Sequence, residues 1–492
     1  MKKIVAFLLA AVMVISVFTG CTKKEDGSGS ADGPVIISIY RPNFNLEGGS
    51  DPAQVQKVED AVNAYLEEKK LGVQVKVTEI ATGEYTEKAN NALGNNEINL
   101  LWTASWEDRI GTNALVSRNA VYDITELVRG TLLYNSMDLA QWAASKYDGK
   151  IYFIPVYKDN VEGYDLMFRQ ELIDKHNWDI SVIRKLADLE PFLADCRADG
   201  LQYPLLLQKS AMFYRFYIDK FDFFTANSIS NFVSVDRATN QVINTVQTPE
   251  YREYCKLIAK WTDLGYISQN EVTDTVADTV TRSQEWGVSW WTDIPVNEEA
   301  DSRYGQDVTM TPITQRWAHS TSALGSCYCV TANCNEAQAK ACIDFMGLLY
   351  TDSKLADMWT FGIEGEDFEY TGDHRVTQKS SKYNHSMWES ASATIVSPLD
   401  NEPSNKAELY KSFNIGANTS CAAGFRFDRS TVDSELTACE LVFEQYGYEL
   451  EVGGVAEADV DSALAVYQTA LDEAGYQKVL AEFRSQYDAW KK

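Results

Sequence analysis

The chain has 492 residues, of which 45% are hydrophobic and 12% aromatic, and its net charge at pH 7 is −27. This length exceeds that of a typical single domain and suffices for two lobes with substantial cores. The acidic balance excludes a nucleic-acid-binding face and a polyanionic ligand, because both demand clustered positive charge. We attribute the excess of acidic residues to solubility at a cell surface.

Residues 1–20 are predicted to form a signal peptide. Lys2 and Lys3 precede the uncharged apolar run Ile4–Phe18, which is too short to cross a membrane. The following Thr19-Gly20-Cys21 resembles the lipobox of bacterial lipoproteins, with Phe18 where leucine is usual. The resemblance implies that Cys21 becomes the first mature residue and carries acyl chains, which anchor a protein stably when there are two or more. The alternative is a plain secreted protein with an incidental cysteine.

Residues 21–34 are then the lipidated cysteine and a tether. The stretch TKKEDGSGSADGP is polar, rich in glycine and serine and without periodicity, which is typical of a flexible linker.

The next segment alternates strands and helices. Val35–Tyr40, Val73–Val77 and INLLWTA (98–104) are predicted strands, separated by a helix that opens at Asp51-Pro52 and a helix over Tyr85–Leu93. This order favours a parallel sheet with right-handed crossovers. Ligands of such sheets bind beyond the carboxyl ends of the strands, so the residues that follow each strand are candidates for a site.

Further along the chain the same signals recur. The predicted elements are a strand in IYFIPVYK (151–158), a strand VEGYDLMF (161–168) before the helix RQELIDKHNW, a hairpin in DRATNQVINTV (236–246), a helix from Thr248-Pro249 to Gly265, a strand EWGVSWW (285–291), and the strand–helix pair SALGSCYCV and EAQAKACIDFMGLLYTD. The C-terminal part is predicted to be mostly helical. The sequence contains no glycine-rich phosphate loop and no G-x-S-x-G or HExxH motif.

The cysteines do not predict a metal site. Cys327, Cys329, Cys334 and Cys342 cluster, but their spacing does not match zinc pairs, and the four histidines are dispersed. Cys327 and Cys329 alternate on a predicted strand, so we expect both to face a core as small hydrophobic residues. A disulfide within the cluster stays open, and we predict neither a metal nor a cofactor.

The densest candidate for a binding site is WTASWEDR, at the end of a predicted strand. Sugars present apolar C–H faces and rings of hydroxyls, so a cleft for them combines aromatic rings with polar side chains. Trp102, Trp106, Asp108 and Arg109 supply both kinds. The alternative is that Trp102 belongs to the core and that the charged residues form a surface ion pair.

Five further residues are weaker candidates for ligand contact. Trp290 and Trp291 are adjacent on a strand and must point to opposite faces, so only one is expected to face a cleft while the other packs in a core. Tyr40, Arg41 and Tyr157 lie near strand ends.

The acidic stretch WTFGIEGEDFEYTGD (359–373) raises the question of catalysis. It places Glu364, Glu366, Asp367 and Glu369 between Trp359 and Tyr370. A glycosidase needs two carboxyls at a set separation and one raised pKa, whereas acids crowded into one loop are usually a solvated face. We therefore interpret the stretch as bordering a cleft, with Trp359 and Glu364 as contacts, and not as catalytic.

The chain resembles the lipid-anchored solute-binding proteins of bacterial ABC importers, in particular the maltose-binding-like oligosaccharide group. The resemblance rests on the order of TGC, INLLWTASWEDR, YDGKIYFIPVYK with YDLMFRQELID, EWGVSWW, and SALGSCYCVTANCNEAQAKACIDFMGLLYTD followed by GIEG. It implies an α/β, periplasmic-binding-protein-like fold with two mixed, mostly parallel sheets and a hinge. It also implies first-lobe sugar contacts at Trp106, Asp108 and Arg109, and a second-lobe stacking position at Trp290 or Trp291.

On this interpretation lobe 1 comprises 35–156 plus 318–362, and lobe 2 comprises 157–317 plus 363–492. The expected function is to capture an oligosaccharide between the lobes and deliver it to the permease subunits of an importer. The protein is expected to be a monomer, without enzymatic activity, held at the extracellular face of the membrane by its lipid anchor alone. Two alternatives stay open, namely a binding protein for peptides or another small solute, and a secreted glycoside hydrolase.

Overall fold

The computed structural model describes residues 33–46, 48–208, 213–223, 232–273, 276, 278–319 and 322–492. The predicted signal peptide, Cys21 and most of the tether lie outside the described residues.

The strands in these ranges, numbered β1 to β18, are Val35–Asn43, Val73–Ala81, Leu100–Thr103, Lys146–Tyr147, Lys150–Ile151, Phe153–Pro155, Tyr164–Arg169, Tyr203–Leu205, Phe221–Phe223, Val233–Asp236, Gln241–Asn244, Trp286–Thr292, Val308–Pro312, Trp317–Ala318, Cys327–Val330, Phe368–Thr371, Arg375–Gln378 and Asn418–Thr419. The helices, numbered α1 to α20, are Pro52–Glu68, Thr82–Gly94, Thr112–Ser117, Thr125–Val128, Leu132–Asn135, Leu139–Ala144, Gln170–His176, Glu190–Ala198, Phe213–Phe216, Pro249–Asp263, Gln269–Val272, Glu298–Tyr304, Glu336–Leu349, Ser353–Phe361, Met387–Ser390, Lys406–Ile415, Asp433–Val442, Tyr448–Glu451, Val460–Glu473 and Tyr476–Trp490.

The first sheet has the order β2-β1-β3-β15-β6. β1 pairs in parallel with β2 and with β3, which confirms the predicted β-α-β-α-β unit. β15 is antiparallel to both β3 and β6. The sheet is buried by helices such as α1, whose buried residues Val58, Val62 and Leu66 form its apolar face.

The second sheet has the order β13-β7-β12-β8 and is mixed. Its β12–β8 pair is parallel, while β7 is antiparallel to both of its neighbours. The pairing is thus mainly antiparallel here, and not mostly parallel as expected. The predicted hairpin is confirmed as β10–β11, and α10 starts at Pro249 with the Thr248 hydroxyl accepting from the Tyr251 amide at 3.2 Å.

Two hydrophobic cores define the two lobes, and three chain segments connect them. The first core holds residues up to Tyr157, whereas the second begins at Tyr164. Apart from Val296, which also packs in the first core, the chain returns to that core at Leu324, passes Tyr410, and re-enters the second core at Ala422. The described residues therefore form a two-lobe α/β fold with three crossings.

The three crossings are hydrogen-bonded to one another and form the hinge. The Glu162 amide donates to the Trp317 carbonyl at 2.9 Å, and the Trp317 amide donates back to Glu162 at 2.8 Å. β14 in the second crossing pairs in parallel with β18 in the third. A bonded strip of backbone of this kind lets two lobes rotate without unfolding either core.

The third crossing corrects the predicted lobe boundary at 362. Phe368, Val376, Tyr383 and Met387 pack in the first core, so the chain stays with lobe 1 well beyond that residue. The predicted divisions at 156 and 317 lie next to or within the first two crossings. The third crossing was not predicted because the segment after α14 has short elements with no clear hydrophobic period. Such a segment does not indicate in the sequence where the chain passes from one lobe to the other.

The eight cysteines of the described residues are free thiols, so the disulfide left open for the cluster is not formed. Cys327 and Cys329 are both buried in the first core, as predicted. Across the described ranges, no group of histidine, cysteine and acidic residues is arranged to hold a metal ion. In the same ranges, no helix combines the length and apolar character that membrane crossing requires.

Candidate functional site

Four aromatic side chains of lobe 1 form an aromatic platform, defined as Phe44, Trp102, Trp106 and Trp388. The ring of Phe44 lies 5.4 Å from Trp102, 5.9 Å from Trp106 and 4.8 Å from Trp388. Trp102 lies 5.8 Å from Trp106 and is fully buried beneath the others. Trp106 is 46% exposed, so the platform presents an apolar aromatic surface to solvent.

The platform sits at the carboxyl edge of the first sheet. Phe44 directly follows β1, Trp102 lies in β3, and Trp106 lies in the turn after β3. The Trp102 indole N–H donates to the Ser326 hydroxyl at 2.9 Å, and the Trp106 indole N–H donates to the Gly325 carbonyl at 2.7 Å. These bonds fix both rings before any ligand arrives.

An interlobe pocket of about 560 Å³ is lined in part by the turn after β3, which also carries Trp106, but none of the four platform residues is among the described residues that line it. Its lobe 1 wall runs along the turn after β3 and along α3, and its lobe 2 wall is formed by β10, the loop before α17, α17 and α20. The lining residues are Asn90, Ser105, Asp108, Arg109, Gly111, Asn113, Ala114, Ser117, Arg118, Phe232, Val233, Phe427, Asp428, Arg429, Ser430, Asp433, Leu436, Glu440, Val479 and Phe483. Its volume falls in the range of small-molecule sites, which are typically concave and partly apolar.

The charged side chains predicted beside Trp106 line this pocket. Asp108 and Arg109 are exposed, and their side chains make no hydrogen bond or ion pair within the described residues. Trp388 likewise keeps its indole N–H without a partner in the described part of the chain. The structure thus brings Trp106, Asp108 and Arg109 together at one edge, with polar groups available to a ligand.

In lobe 2, Trp290 and Trp291 point to opposite faces of the sheet, as predicted. Trp290 is nearly buried in the second core, where its indole N–H donates to the Leu207 carbonyl at 3.0 Å and the Arg215 guanidinium lies 4.1 Å from its ring. Trp291 packs 5.7 Å from Tyr304 on the other face. Among the described residues that line the interlobe pocket, neither tryptophan appears.

Arg41 and Trp359, predicted as ligand contacts, belong instead to a buried network. Arg41 is 2% exposed, and its guanidinium lies 4.2 Å from the Trp359 ring, donates to the Trp359 carbonyl at 3.1 Å and lies 3.5 Å from Glu79. His385 contacts the same Glu79 Oε2 at 2.7 Å, and although burial raises the pKa of Glu79, the contacts with His385 and then Arg41 hold it far below its usual range. The correction follows from register, because Arg41 and Glu79 are paired positions of β1 and β2.

Three other residues that were predicted to contact a ligand instead bond or pack within lobe 1. Tyr157 is buried, with its hydroxyl donating to Asp138 at 3.2 Å. Tyr40 is half-buried and directs its hydroxyl towards Glu97, which lies before β3 and away from the carboxyl edge of the sheet. Trp102 is the buried floor of the platform, so Trp106 and not Trp102 offers a free ring face.

The acidic stretch packs against α1 and does not line the interlobe pocket in the described residues. Glu366 pairs with Lys57 at 2.5 Å, which lowers the pKa of Glu366, and buried Asp367 accepts from Gln54 at 2.7 Å. Glu364 is exposed on the surface of this loop. A general acid requires a raised pKa, so Glu366 is unsuited to that role.

Phe44 and Trp388 are the platform residues that sequence reasoning missed. Trp388 is far from Trp106 in the chain and lies in the short helix α15. The start of this helix is fixed by a capping box between Ser386 and Glu389. Glu389 also accepts from the Phe44 amide at 3.1 Å, so one carboxylate positions both missed rings. The S-M-W-E capping pattern was the available signal for Trp388.

Comparison with known protein families adds to this geometry. Residues 60–364, more than half of the chain, match the model of the family described as bacterial extracellular solute-binding protein. The chain belongs to this family. A second model, described only as a domain of unknown function, matches residues 421–492 of this solute-binding protein.

Relatives of this solute-binding protein cover nearly its whole length. A carbohydrate ABC transporter substrate-binding protein of Streptococcus pneumoniae serotype 4 (strain ATCC BAA-334 / TIGR4) is 26% identical over 99% of this chain and 97% of its own length. The crystal structure of the N-glycan transport solute-binding protein from Streptococcus pneumoniae is similar, with a TM-score of 0.79 and 23% identity over 93% of this chain and 99% of that one. A human-milk-oligosaccharide (HMO) binding solute-binding protein from Bifidobacterium longum infantis ATCC 15697 has a TM-score of 0.62 and 14% identity, covering 94% and 100%. These similarities confirm the two-lobe binding-protein fold.

Proposed function

We propose that this solute-binding protein captures an oligosaccharide between its lobes for an ABC importer. The observation that carries the proposal is the exposed ring of Trp106, fixed in the aromatic platform on the same turn as Asp108 and Arg109, which line the interlobe pocket. A pyranose ring stacks its C–H face on such a ring and directs its hydroxyls to charged or amide groups at the edge.

The polar groups match a neutral, hydroxyl-rich ligand. The pocket carries Arg109 and Arg118 from lobe 1, and Asp428 and Asp433 from lobe 2, so neither sign of charge dominates. Carboxylates accept hydrogen bonds from sugar hydroxyls and guanidinium groups donate to them. The names of the relatives support this class, since two structures of the pneumococcal N-glycan protein contain Man1GlcNAc and Man5GlcNAc.

Capture proceeds by a shift between open and closed arrangements of the lobes. The bonded crossings supply the hinge, and the interlobe pocket has walls on both sides of it. A ligand that contacts both walls stabilises the closed arrangement by its differential affinity for that state. The closed protein then presents its ligand to the permease subunits of the importer.

The setting of this capture is the extracellular face of the membrane. Cys21 carries the lipid anchor, the glycine- and serine-rich stretch to residue 34 is the tether, and the protein acts as a monomer. Membership of an extracellular solute-binding family supports this location.

We infer binding without catalysis. A glycoside hydrolase places two carboxyl groups across the scissile bond, one of them with a raised pKa. The acidic residues at the platform are Glu389, which accepts from the Phe44 and Ser386 amides, and Glu107 and Asp108, which lie on one turn of lobe 1. Glu366 and Asp367 of the acidic stretch bond to α1. A peptide ligand would instead need an exposed strand edge or charged end groups in the pocket.

The test is a titration of the purified chain from residue 22 onward, which contains the whole compact unit. Intrinsic tryptophan fluorescence is followed with Man1GlcNAc, Man5GlcNAc, maltotriose and a tripeptide as probes. Saturable change with a glycan and none with the tripeptide supports the proposal, provided that chromatography finds the glycan intact.

A further inference from the structure

The interlobe pocket has an unusual second wall. Nine of the twenty described residues that line it lie in the segment 421–492, which matches a domain of unknown function. They are Phe427, Asp428, Arg429, Ser430, Asp433, Leu436, Glu440, Val479 and Phe483. The C-terminal segment therefore does more than complete the second core, because it also faces the predicted sugar-contacting turn of lobe 1.

The chemistry of this wall repeats that of the platform. The Phe427 ring is stacked on Phe483, with centroids 4.3 Å apart and planes at 25°, and Phe427 is only half-buried. Arg429 and Ser430, on the same loop, are exposed at the pocket. The Arg429 guanidinium pairs with Asp433 and Glu440, so the Phe427 ring and the Ser430 hydroxyl are the groups left for a ligand on this loop, and they suit a sugar ring and its hydroxyls.

The loop that carries these groups is held in place by hydrogen bonds to the side chain of Gln486 in α20. The Gln486 side-chain amide donates to the Asp428 carbonyl at 2.8 Å and accepts from the Asp428 amide at 2.8 Å. Asp428 in turn accepts from the Ser430 amide at 2.9 Å. A loop held in this way loses little conformational entropy on binding, which favours its use in recognition.

We infer that the C-terminal segment 421–492 is a ligand-selecting module that holds the distal sugars of an extended oligosaccharide. This inference rests on the proposed function. One end of the ligand stacks on Trp106, and the chain continues past Asp108 and Arg109 into the pocket wall around Phe427 and Ser430. Longer glycans gain contacts with this wall that a disaccharide on the platform does not make, so the segment sets the preference for chain length.

The test fills the pocket and compares a short with a long glycan. Ser430→Trp places a large side chain at the wall, and Val466→Trp on the exposed face of α19 is the matched control outside the pocket. Calorimetry with Man1GlcNAc and Man5GlcNAc is expected to show at least a tenfold loss of Man5GlcNAc affinity in Ser430→Trp. The loss of Man1GlcNAc affinity is expected to be at least roughly threefold smaller than that of Man5GlcNAc, and the control is expected to bind both probes as the wild type does.

A second variant covers the case in which Ser430→Trp does not fold. Ala114→Trp fills the same pocket from lobe 1 and is expected to show the same length-dependent loss. Equal losses for both glycans, or no change for Man5GlcNAc in a folded pocket-filling variant, would overturn the inference while leaving sugar capture intact. A wild-type protein that binds neither glycan would overturn the proposed function together with it.

Discussion

Trp106 donates its indole N–H to the Gly325 carbonyl at 2.7 Å while 46% of the residue stays exposed. The polar edge of the ring is thus already bonded within lobe 1, and what remains for a ligand is the apolar ring face. Gly325 is separated from β15 only by Ser326 and lies near the second crossing of the hinge. A ligand stacked on Trp106 is therefore coupled to the segment that joins the lobes.

Replacing this ring tests the platform. Trp106→Ala is expected to weaken oligosaccharide binding by about 2 kcal/mol, or roughly 30-fold, as for a buried aromatic anchor of an interface. Trp490→Ala is the control, because Trp490 is also partly exposed but lies at the end of α20 and outside the platform. Calorimetric titration of both variants decides, and equal affinities would remove Trp106 from the site.

Substitution of Asp108 or Arg109, the charged neighbours of Trp106, should lower the affinity for the oligosaccharide and leave the stability of the fold unchanged. Asp108→Asn and Arg109→Gln are each expected to lower affinity by roughly tenfold, since hydrogen bonds to charged groups contribute about 1.5–3 kcal/mol. The melting temperature should stay constant, because neither side chain bonds to the rest of the described protein. Glu473→Gln, an exposed acid on α19, serves as control. A fall in melting temperature without loss of affinity would assign both residues to the fold.

Arg41 should show the opposite pattern. Arg41→Ala removes one partner of a buried ion pair with Glu79 and is expected to lower the free energy of unfolding by about 3–5 kcal/mol. Urea unfolding measures this loss, with Arg129→Ala at an exposed pair with Glu126 as the control that changes it by at most about 1 kcal/mol. The folded fraction of the variant should bind its ligand with wild-type affinity. A selective loss of affinity would restore Arg41 to the site.

A buried acid pair at the hinge predicts how stability depends on pH. Burial, and then the neighbouring Asp293 carboxylate, raise the pKa of Asp165 well above its ordinary value. Arg316 in the second crossing bonds to Asp293 at 2.5 Å and lies 4.1 Å from Phe413 in α16. Asp159, in an ion pair with Lys158, is the further charged group that acts on Asp293.

The direction in which the free energy of unfolding changes with pH follows from the number of protons bound by the folded and unfolded states. Above about pH 4 the unfolded chain releases the Asp165 proton while the folded protein keeps it, so the free energy of unfolding falls as pH rises. Asp165→Asn removes this fall in the free energy of unfolding, because the amide does not titrate. The variant should gain at least about 1.4 kcal/mol relative to wild type between pH 4 and pH 7, the equivalent of one pKa unit. Urea unfolding at both pH values checks this, and a difference that does not change with pH would contradict it.

How far the sequence predicts this molecule depends on how local each signal is. The β1–β3 unit and the Thr248 cap follow from periodicity and capping residues, and the turn Trp106–Arg109 follows from its place after a buried strand. These are short-range patterns, and the structure confirms the elements that they predict.

The features of the fold and of the site that the sequence did not predict depend on contacts between residues far apart in the chain. β1 extends to Asn43, so Arg41 lies inside a sheet where Glu79 neutralises it, and no local pattern indicates that pairing. Trp388 reaches Phe44 only because the chain stays with lobe 1 beyond α14. The lobe boundary and the platform were missed for the same reason.

Oligosaccharide capture on Trp106 is measured by calorimetric titration of the chain from residue 22 onward with Man5GlcNAc, in parallel with Trp106→Ala. Chromatography of the glycan follows each titration. We expect saturable binding to the wild type, a loss of roughly 30-fold in the variant, and a glycan recovered unchanged. Wild-type affinity in Trp106→Ala, or shortened glycan after incubation with the wild type, would contradict this expectation.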